Sequence, residues 1–321
     1  MILNQWYVIL ESKELKKNKP LRIKRLNIDL ALWRNENGRV CCIDDRCCHR
    51  GVSISCGKIV NGNLECPFHG FLYNEDGMVQ VIPAIGKNRK PPETMKVRAF
   101  KTYEEYGLIW IWWGEDNKST EKPFFFEDLA GFSYSSFSDS WNVHYSRAIE
   151  NQLDVVHLPF VHKTTIGRGN KTLVNGPVVI SDKELITFYV KNTVDDGTTV
   201  PQKPDEIEDY EKLFHLQFHY PNIWQNFISP KIRTFAAFVP VDEENTIVII
   251  RYYQKMFMIP LIRQFVNLIG IWASIIILRQ DKRVVETQLP KRSMMRMDER
   301  LIMGDKPIVE YRKHREEMMG Q

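Results

Sequence analysis

All six cysteines of this 321-residue chain (Cys41, Cys42, Cys47, Cys48, Cys56 and Cys66) fall between positions 41 and 66. A disulfide framework would be spread more widely and belongs to oxidising compartments, so the clustering points to a metal site. Inside the window stand two short pairs, Cys47-Cys48-His49-Arg50-Gly51 and Cys66-Pro67-Phe68-His69-Gly70. The glycines let each loop turn tightly enough to bring two thiolates and two imidazoles to one centre. A structural zinc site is the plainer reading, since two cysteines and two histidines are a common zinc set. Pairing a cysteine with a histidine within each loop instead suits a [2Fe–2S] cluster whose cysteines hold one iron and whose histidines hold the other.

A second constellation lies in the stretch 150–162. Asp154, His157 and His162 fall within nine residues whose neighbours are mostly apolar, and burying three ionisable groups there without a partner is costly. Placed on a helix, Asp154 and His157 share a face. Pro159 then ends or kinks that helix and lets His162 swing back toward the same point. An iron site of two histidines and one carboxylate needs a charged third ligand. Helical counting from Asp281 gives Ile277, Leu278, Val284 and Val285, so Asp281 sits on an apolar stripe where an unpaired carboxylate is unfavourable. A buried salt bridge or a helix-end role is the alternative for it. His215 and His219, which share a face in a strand, are read as strand residues near the pocket rather than ligands.

Composition is that of a globular protein, 43% hydrophobic and 26% charged, and a formal charge of +4 gives no case for nucleic acid as partner. The N-terminus lacks the pattern of a secretion signal, so a cytoplasmic protein is the expectation. The most apolar run, from Phe265 to Leu278, is shorter than the roughly 20 residues of a membrane span and reads as a buried or surface-seated helix. Membrane contact through that helix stays open.

Residues 1–115 alternate short apolar runs with turn signals such as Asn37-Gly38, Asn61-Gly62 and Asp76-Gly77, which predicts a small antiparallel β domain. The polar stretch from Gly114 to Pro123 reads as a linker. Residues 116–321 form a second domain, which begins in earnest near Phe124 and mixes strands with helical stretches around 145–158 and 258–290. Val194 to Lys212 is acidic and Pro-containing and reads as a surface loop. The fold class is α+β.

The pattern Cys47-x-His49 with Cys66-x-x-His69, together with Gly57 and the segment from Gly70 to Gly77, resembles the Rieske domains of ring-hydroxylating and related oxygenases. Asp154-x-x-His157-x-x-x-x-His162, preceded by Glu150-Asn151, resembles the motif of their catalytic domain. The stretch from Gln280-Asp281 to Pro290 is similar to the C-terminal ligand segment of the branch with pheophorbide oxygenases, saxitoxin-pathway hydroxylases and vanillate demethylase-type members. The chain departs from the family pattern at Cys48, where proline is usual. It also carries Val52 and Phe68 where respiratory Rieske proteins have a bracing disulfide, which argues for the low-potential oxygenase type.

The resemblance implies a Rieske domain over 1–115 and a helix-grip (START-like) catalytic domain over 116–321. It implies that Cys47, His49, Cys66 and His69 hold the [2Fe–2S] cluster and that His157, His162 and Asp281 hold a mononuclear Fe(II). Asp154 becomes an inter-subunit electron bridge, with Asn151 beside it, in a head-to-tail homotrimer. A separate reductase or ferredoxin, drawing on NAD(P)H, would supply electrons, and O2 would be co-substrate for hydroxylation, demethylation or desaturation of a small, largely hydrophobic organic substrate. Monooxygenation is favoured over dioxygenation. A Rieske electron carrier without oxygenase activity, a zinc-binding interaction protein and a zinc hydrolase are the competing classes.

Overall fold

The computed structural model describes residues 1–320 except 183, 196 and 197. The chain divides into two compact units, one of Met1, Leu3–Pro123 and Pro240–Asp242, the other of Ile2, Phe124–Val239 and Glu243–Gln321.

The first unit is antiparallel β throughout. Strands β1 (Gln5–Glu11), β9 (Thr102–Glu105) and β10 (Leu108–Trp113) form one sheet in the order β1-β10-β9. Strands β2 (Leu21–Arg25), β3 (Ile28–Arg34) and β4 (Val40–Asp44) form a second, and β5 (Lys58–Val60), β6 (Asn63–Glu65), β7 (Leu72–Tyr73) and β8 (Val79–Val81) a third. Successive strand residues point to opposite faces, so β4 sends Cys41 into a core with Trp33, Ile43, Leu64 and Tyr73. Cys42 enters a different core, with Tyr7, Leu30 and Ile109. Both therefore act as small packed side chains, whereas Cys56 is exposed rather than packed.

The second unit is built on a seven-stranded antiparallel sheet of β11 (Ser133–Trp141), β12 (Leu173–Ser181), β13 (Leu185–Thr193), β14 (Phe214–His219), β15 (Ile223–Ser229), β16 (Ile232–Pro240) and β17 (Thr246–Gln254), in the order β11-β17-β16-β15-β14-β13-β12. Its helices are α1 (Tyr145–Leu153), the single turn α2 (Leu158–Val161), α3 (Pro260–Val285) and α4 (Lys306–Met319). Helix α3 crosses β11 and β17. At 26 residues it is far longer than its strictly apolar run, and by length and composition alone it could cross a membrane. The segment from Val194 to Lys212 joins β13 to β14 through short 3-10 turns, with positions 196 and 197 outside the described residues.

Helix α4 carries no apolar periodicity that would mark it in the sequence, because its buried face includes Arg312 and Arg315. Arg312 donates to both oxygens of buried Glu150 on α1, at 2.7 and 3.0 Å, and to Glu299 at 2.6 Å. Arg147 joins the same network, 3.1 Å from Glu150 and 2.8 Å from Glu299. Arg147, Glu150 and Arg312 are thus buried as paired charges, which is the condition for placing them there.

Candidate metal centres

In the first unit two loops of like construction follow β4 and β6. The Cys47 N–H donates to the Val52 carbonyl at 2.9 Å and the Gly51 N–H to the Cys47 carbonyl at 2.8 Å. The Cys66 N–H likewise donates to the Phe71 carbonyl at 2.8 Å and the Gly70 N–H to the Cys66 carbonyl at 3.0 Å. Both closing glycines, Gly51 at φ +72° and Gly70 at φ +71°, occupy the left-handed region that side-chain-bearing residues avoid. The loops bring the two histidines face to edge, with ring centroids 4.7 Å apart and the His49 ring stacked on Phe71 at 4.9 Å.

Cys47 and Cys66 are buried while His49 and His69 reach the surface. Burial pushes the Cys66 thiol up, and the backbone N–H groups of Phe68 and His69 pull it back down. Such donors stabilise sulfur in its charged, metal-binding form. Tyr73 Oη lies 3.1 Å from Cys47 Sγ and accepts from the Cys48 N–H at 3.2 Å, so the first loop is tied to the core below it. Cys48 itself is exposed.

In the second unit the expected helix through Asp154 and His157 is absent. Helix α1 ends at Leu153, with Asp154 as its C-cap. The Asp154 carboxylate instead accepts from the backbone N–H groups of Val156, at 2.7 Å, and His157, at 3.2 Å. A short acidic side chain competes with the helix for backbone donors and wins here, so a turn rather than a helical face holds Asp154 3.6 Å from His157 Nδ1. Pro159 then starts a helical turn instead of ending one, consistent with its missing N–H. His157 and His162 flank that turn.

Asp281 arrives from α3 and is buried to 3% exposure on the face carrying Leu278 and Val285. Its Oδ1 lies 3.0 Å from His162 Nε2 and 3.4 Å from His157 Nε2, and Oδ2 is 3.4 Å from Gln152 Nε2. The three donor atoms lie within 4.8 Å of one another, a spacing that could hold one ion. Oδ1 is buried and, despite those neighbours, has no hydrogen-bond partner. An orphaned carboxylate oxygen facing two ring nitrogens suits a shared cation better than a hydrogen-bonded pair.

Burial opposes the charged forms of His157 and Asp281, yet the charges decide. Asp154 and Asp281 raise His157 to about 9, while the two imidazoles hold Asp281 below its ordinary range. Two carboxylates thus draw positive charge to this point. His162 Nδ1 lies 2.8 Å from Gln280 Oε1, which also accepts from Thr165 at 3.0 Å and fixes which ring nitrogen faces Asp281. That role of Gln280 was not legible in the sequence, where it is only the residue before Asp281.

The three groups border a cavity of about 530 Å³ lined mostly by apolar side chains, among them Leu216, Trp224, Phe238, Val248 and Leu278. Asn151 also lines it, with a buried amide nitrogen that has no partner. His215 and His219 are indeed on a strand, but they do not line the cavity. Phe214 and Leu216 do, and the alternate residues of β14 face the other way, His215 stacked on Phe227 and His219 on Phe124.

The Rieske [2Fe-2S] domain family matches residues 5–103, and the vanillate O-demethylase oxygenase C-terminal domain family matches residues 141–321, more than half of the chain. The chain belongs to the Rieske non-heme iron oxygenases. This family of oxidoreductases combines a Rieske cluster with mononuclear iron and uses O2 and electrons supplied by separate reductase or ferredoxin partners.

Among Rieske oxygenases the chain is similar to methylxanthine N1-demethylase of Pseudomonas putida, 28% identical over 328 residues, covering 96% of this chain and 86% of that protein. The solved structure of that enzyme superposes with a TM-score of 0.79 at 25% identity over 98% of this chain and 90% of the other. Chlorophyllide a oxygenase of Chlamydomonas reinhardtii is 33% identical over 167 residues, 52% of this chain but 25% of the relative. The first curated relatives are longer proteins, of which the chain spans about half or less. Dicamba monooxygenase, at 21% identity and a TM-score of 0.80 over 100% of this chain and 98% of the other, shares the fold.

Proposed function

We propose that this chain is a terminal oxygenase that hydroxylates, or oxidatively demethylates or desaturates, a largely apolar organic molecule. The observation that carries the reading is the convergence of His157, His162 and Asp281 at the edge of an apolar cavity. Cys47, His49, Cys66 and His69 in residues 1–115 would hold the cluster, and His157, His162 and Asp281 in residues 116–321 the iron. When bound, the cluster supplies single electrons and the iron supplies the O2 chemistry.

The chain's own residues do the rest. Gln280 orients His162, Gln152 braces the second oxygen of Asp281, and Asp154 places its charge 3.6 Å from the outer nitrogen of His157. Apolar walls receive the substrate by burial and exclude bulk water from its reacting carbon. The monooxygenase reading is preferred because the chain is 32% identical over 186 residues to the iron-sulfur subunit of a putative toluene-4-sulfonate monooxygenase system of Comamonas testosteroni.

Asp154 keeps 29% of its side chain exposed, unlike Asp281 at 5%. That suits a group which meets a cluster histidine from a neighbouring subunit, and we read the working form as a head-to-tail trimer fed by a separate reductase. The four cysteines outside the cluster, Cys41, Cys42, Cys48 and Cys56, form no disulfide, which suits a reducing compartment such as the cytoplasm. The test is elemental: purified protein should hold iron with acid-labile sulfide and consume O2 with a surrogate reductase when apolar or methylated compounds are added. A colourless protein holding only zinc would overturn the proposal.

A further inference from the structure

Helix α3 is amphipathic the wrong way round for a helix facing water. Its buried face carries Asn267, Gly270, Ser274 and Asp281 beside Ile271, Leu278 and Val285. Its outward face carries Leu261 at 80% exposure, Phe265 and Trp272 at 64% each, and Leu268, Ile269 and Ile262 beside them. At 100° per residue these six occupy one continuous stripe about 17 Å long. The preceding residues 256–259, Met-Phe-Met-Ile, are all exposed as well and extend the patch. A soluble surface rarely shows so many large apolar side chains in one place, because each exposed one forgoes the free energy of its burial.

Charge selects what covers the patch. From Asn245 to Gln280 the chain has no acidic residue, and its exposed or part-exposed charges are Lys255, Arg263 and Arg279, all basic. The Lys255 N–H donates to the Lys231 carbonyl at 3.0 Å, which sets a second exposed lysine beside the patch. A two-fold pairing of the patch with itself would bring these positive charges together. An anionic lipid surface attracts them while the stripe enters the acyl boundary, with Trp272 of a type favoured at that depth.

The helix does not thread the bilayer. Its other face is fastened to the unit's own sheet, where Asn267 Oδ1 accepts from Gln254 Nε2 at 3.1 Å and Gly270 lies against the Tyr252 ring. A spanning helix has lipid or other spanning helices on every side. We propose that the outward face of α3 and residues 256–259 seat this protein on an anionic membrane surface, with α3 parallel to the membrane plane.

Flotation of the full-length, cofactor-loaded protein tests this with vesicles of phosphatidylcholine alone and with about a quarter phosphatidylglycerol. The protein should float with the anionic vesicles. F265D/W272D should lower binding at least about tenfold. K231Q/K255Q/R263Q, which leaves the stripe intact, should lower it about fivefold per residue on anionic vesicles only. V200D, an exposed apolar residue outside the patch, should bind as the unaltered protein does. Unchanged mononuclear iron content, which depends on Asp281 of α3, and unchanged far-ultraviolet circular dichroism check folding of every variant. The proposal is overturned if the unaltered protein fails to float, or if F265D/W272D floats equally well. It is also overturned if the unaltered protein stays off vesicles while F265D/W272D lowers its molecular mass in solution, since the patch would then join copies of the chain.

Discussion

Asp281 and Asp154 are carboxylates of the same kind that the fold puts to different use. Asp281 is enclosed, faces both imidazoles and has one oxygen without a hydrogen-bond partner, whereas Asp154 accepts from two backbone N–H groups and lies 3.6 Å from the outer nitrogen of His157. D281A should therefore deplete the mononuclear iron while leaving cluster iron and labile sulfide intact, read by metal analysis and cluster absorbance. Retained mononuclear iron would move the third ligand elsewhere, first to Asp154. D154A should keep both the cluster spectrum and most of the iron yet abolish steady-state turnover, because in the proposed bridging role only the electron path is cut. Normal turnover in D154A would refute the bridging role.

At the scale of elements, what holds the site is how closely α3 and α1 fit their neighbours. A methyl group at Gly270 would collide with the Tyr252 ring of β17, so α3 approaches the sheet only because that position is glycine. G270A gains about 1 kcal/mol of helix propensity but overpacks a buried contact at about 1–3 kcal/mol, and the unfolding temperature should fall. Helix α1 begins at buried His144, whose Nδ1 accepts from the Ser146 N–H at 3.3 Å and so must carry no proton. Burial, then Arg315 and Arg292, lowers this histidine from 6.5 to about 2. Its folded pKa is depressed, so its contribution is complete above pH 6.5 and declines as pH falls toward 2, where the unfolded chain takes up a proton the native chain refuses. Between pH 7 and pH 5 this one group should remove about 2 kcal/mol, and H144N should show an acid limb flatter by that amount in urea unfolding followed at both pH values.

For the whole molecule, the proposed trimer makes a prediction that a monomer cannot meet. A cluster-deficient variant such as H69A and the bridge variant D154A should each be inactive alone. Co-expressed in one assembly they should regain part of the activity, since an intact cluster on one subunit then faces an intact Asp154 on the next; two tagged variants purified in tandem and assayed for O2 uptake decide it. Much of this was legible in the sequence, for reasons of locality. Cys47 with His49, and Cys66 with His69, are joined by tight loops whose geometry two glycines dictate, and His157 and His162 bracket one proline-started turn. Such short-range chemistry is written in adjacent residues, and even Asp281 betrayed itself by standing on an apolar helical stripe. Tertiary structure alone decided that Asp154 ends a helix instead of lying on one, that Gln280 sets the ring of His162, and that arginines of α4 pair with Glu150 on α1. It also decided that the first half of α3 turns its Gly270 side to the sheet, where the Tyr252 ring lies against it.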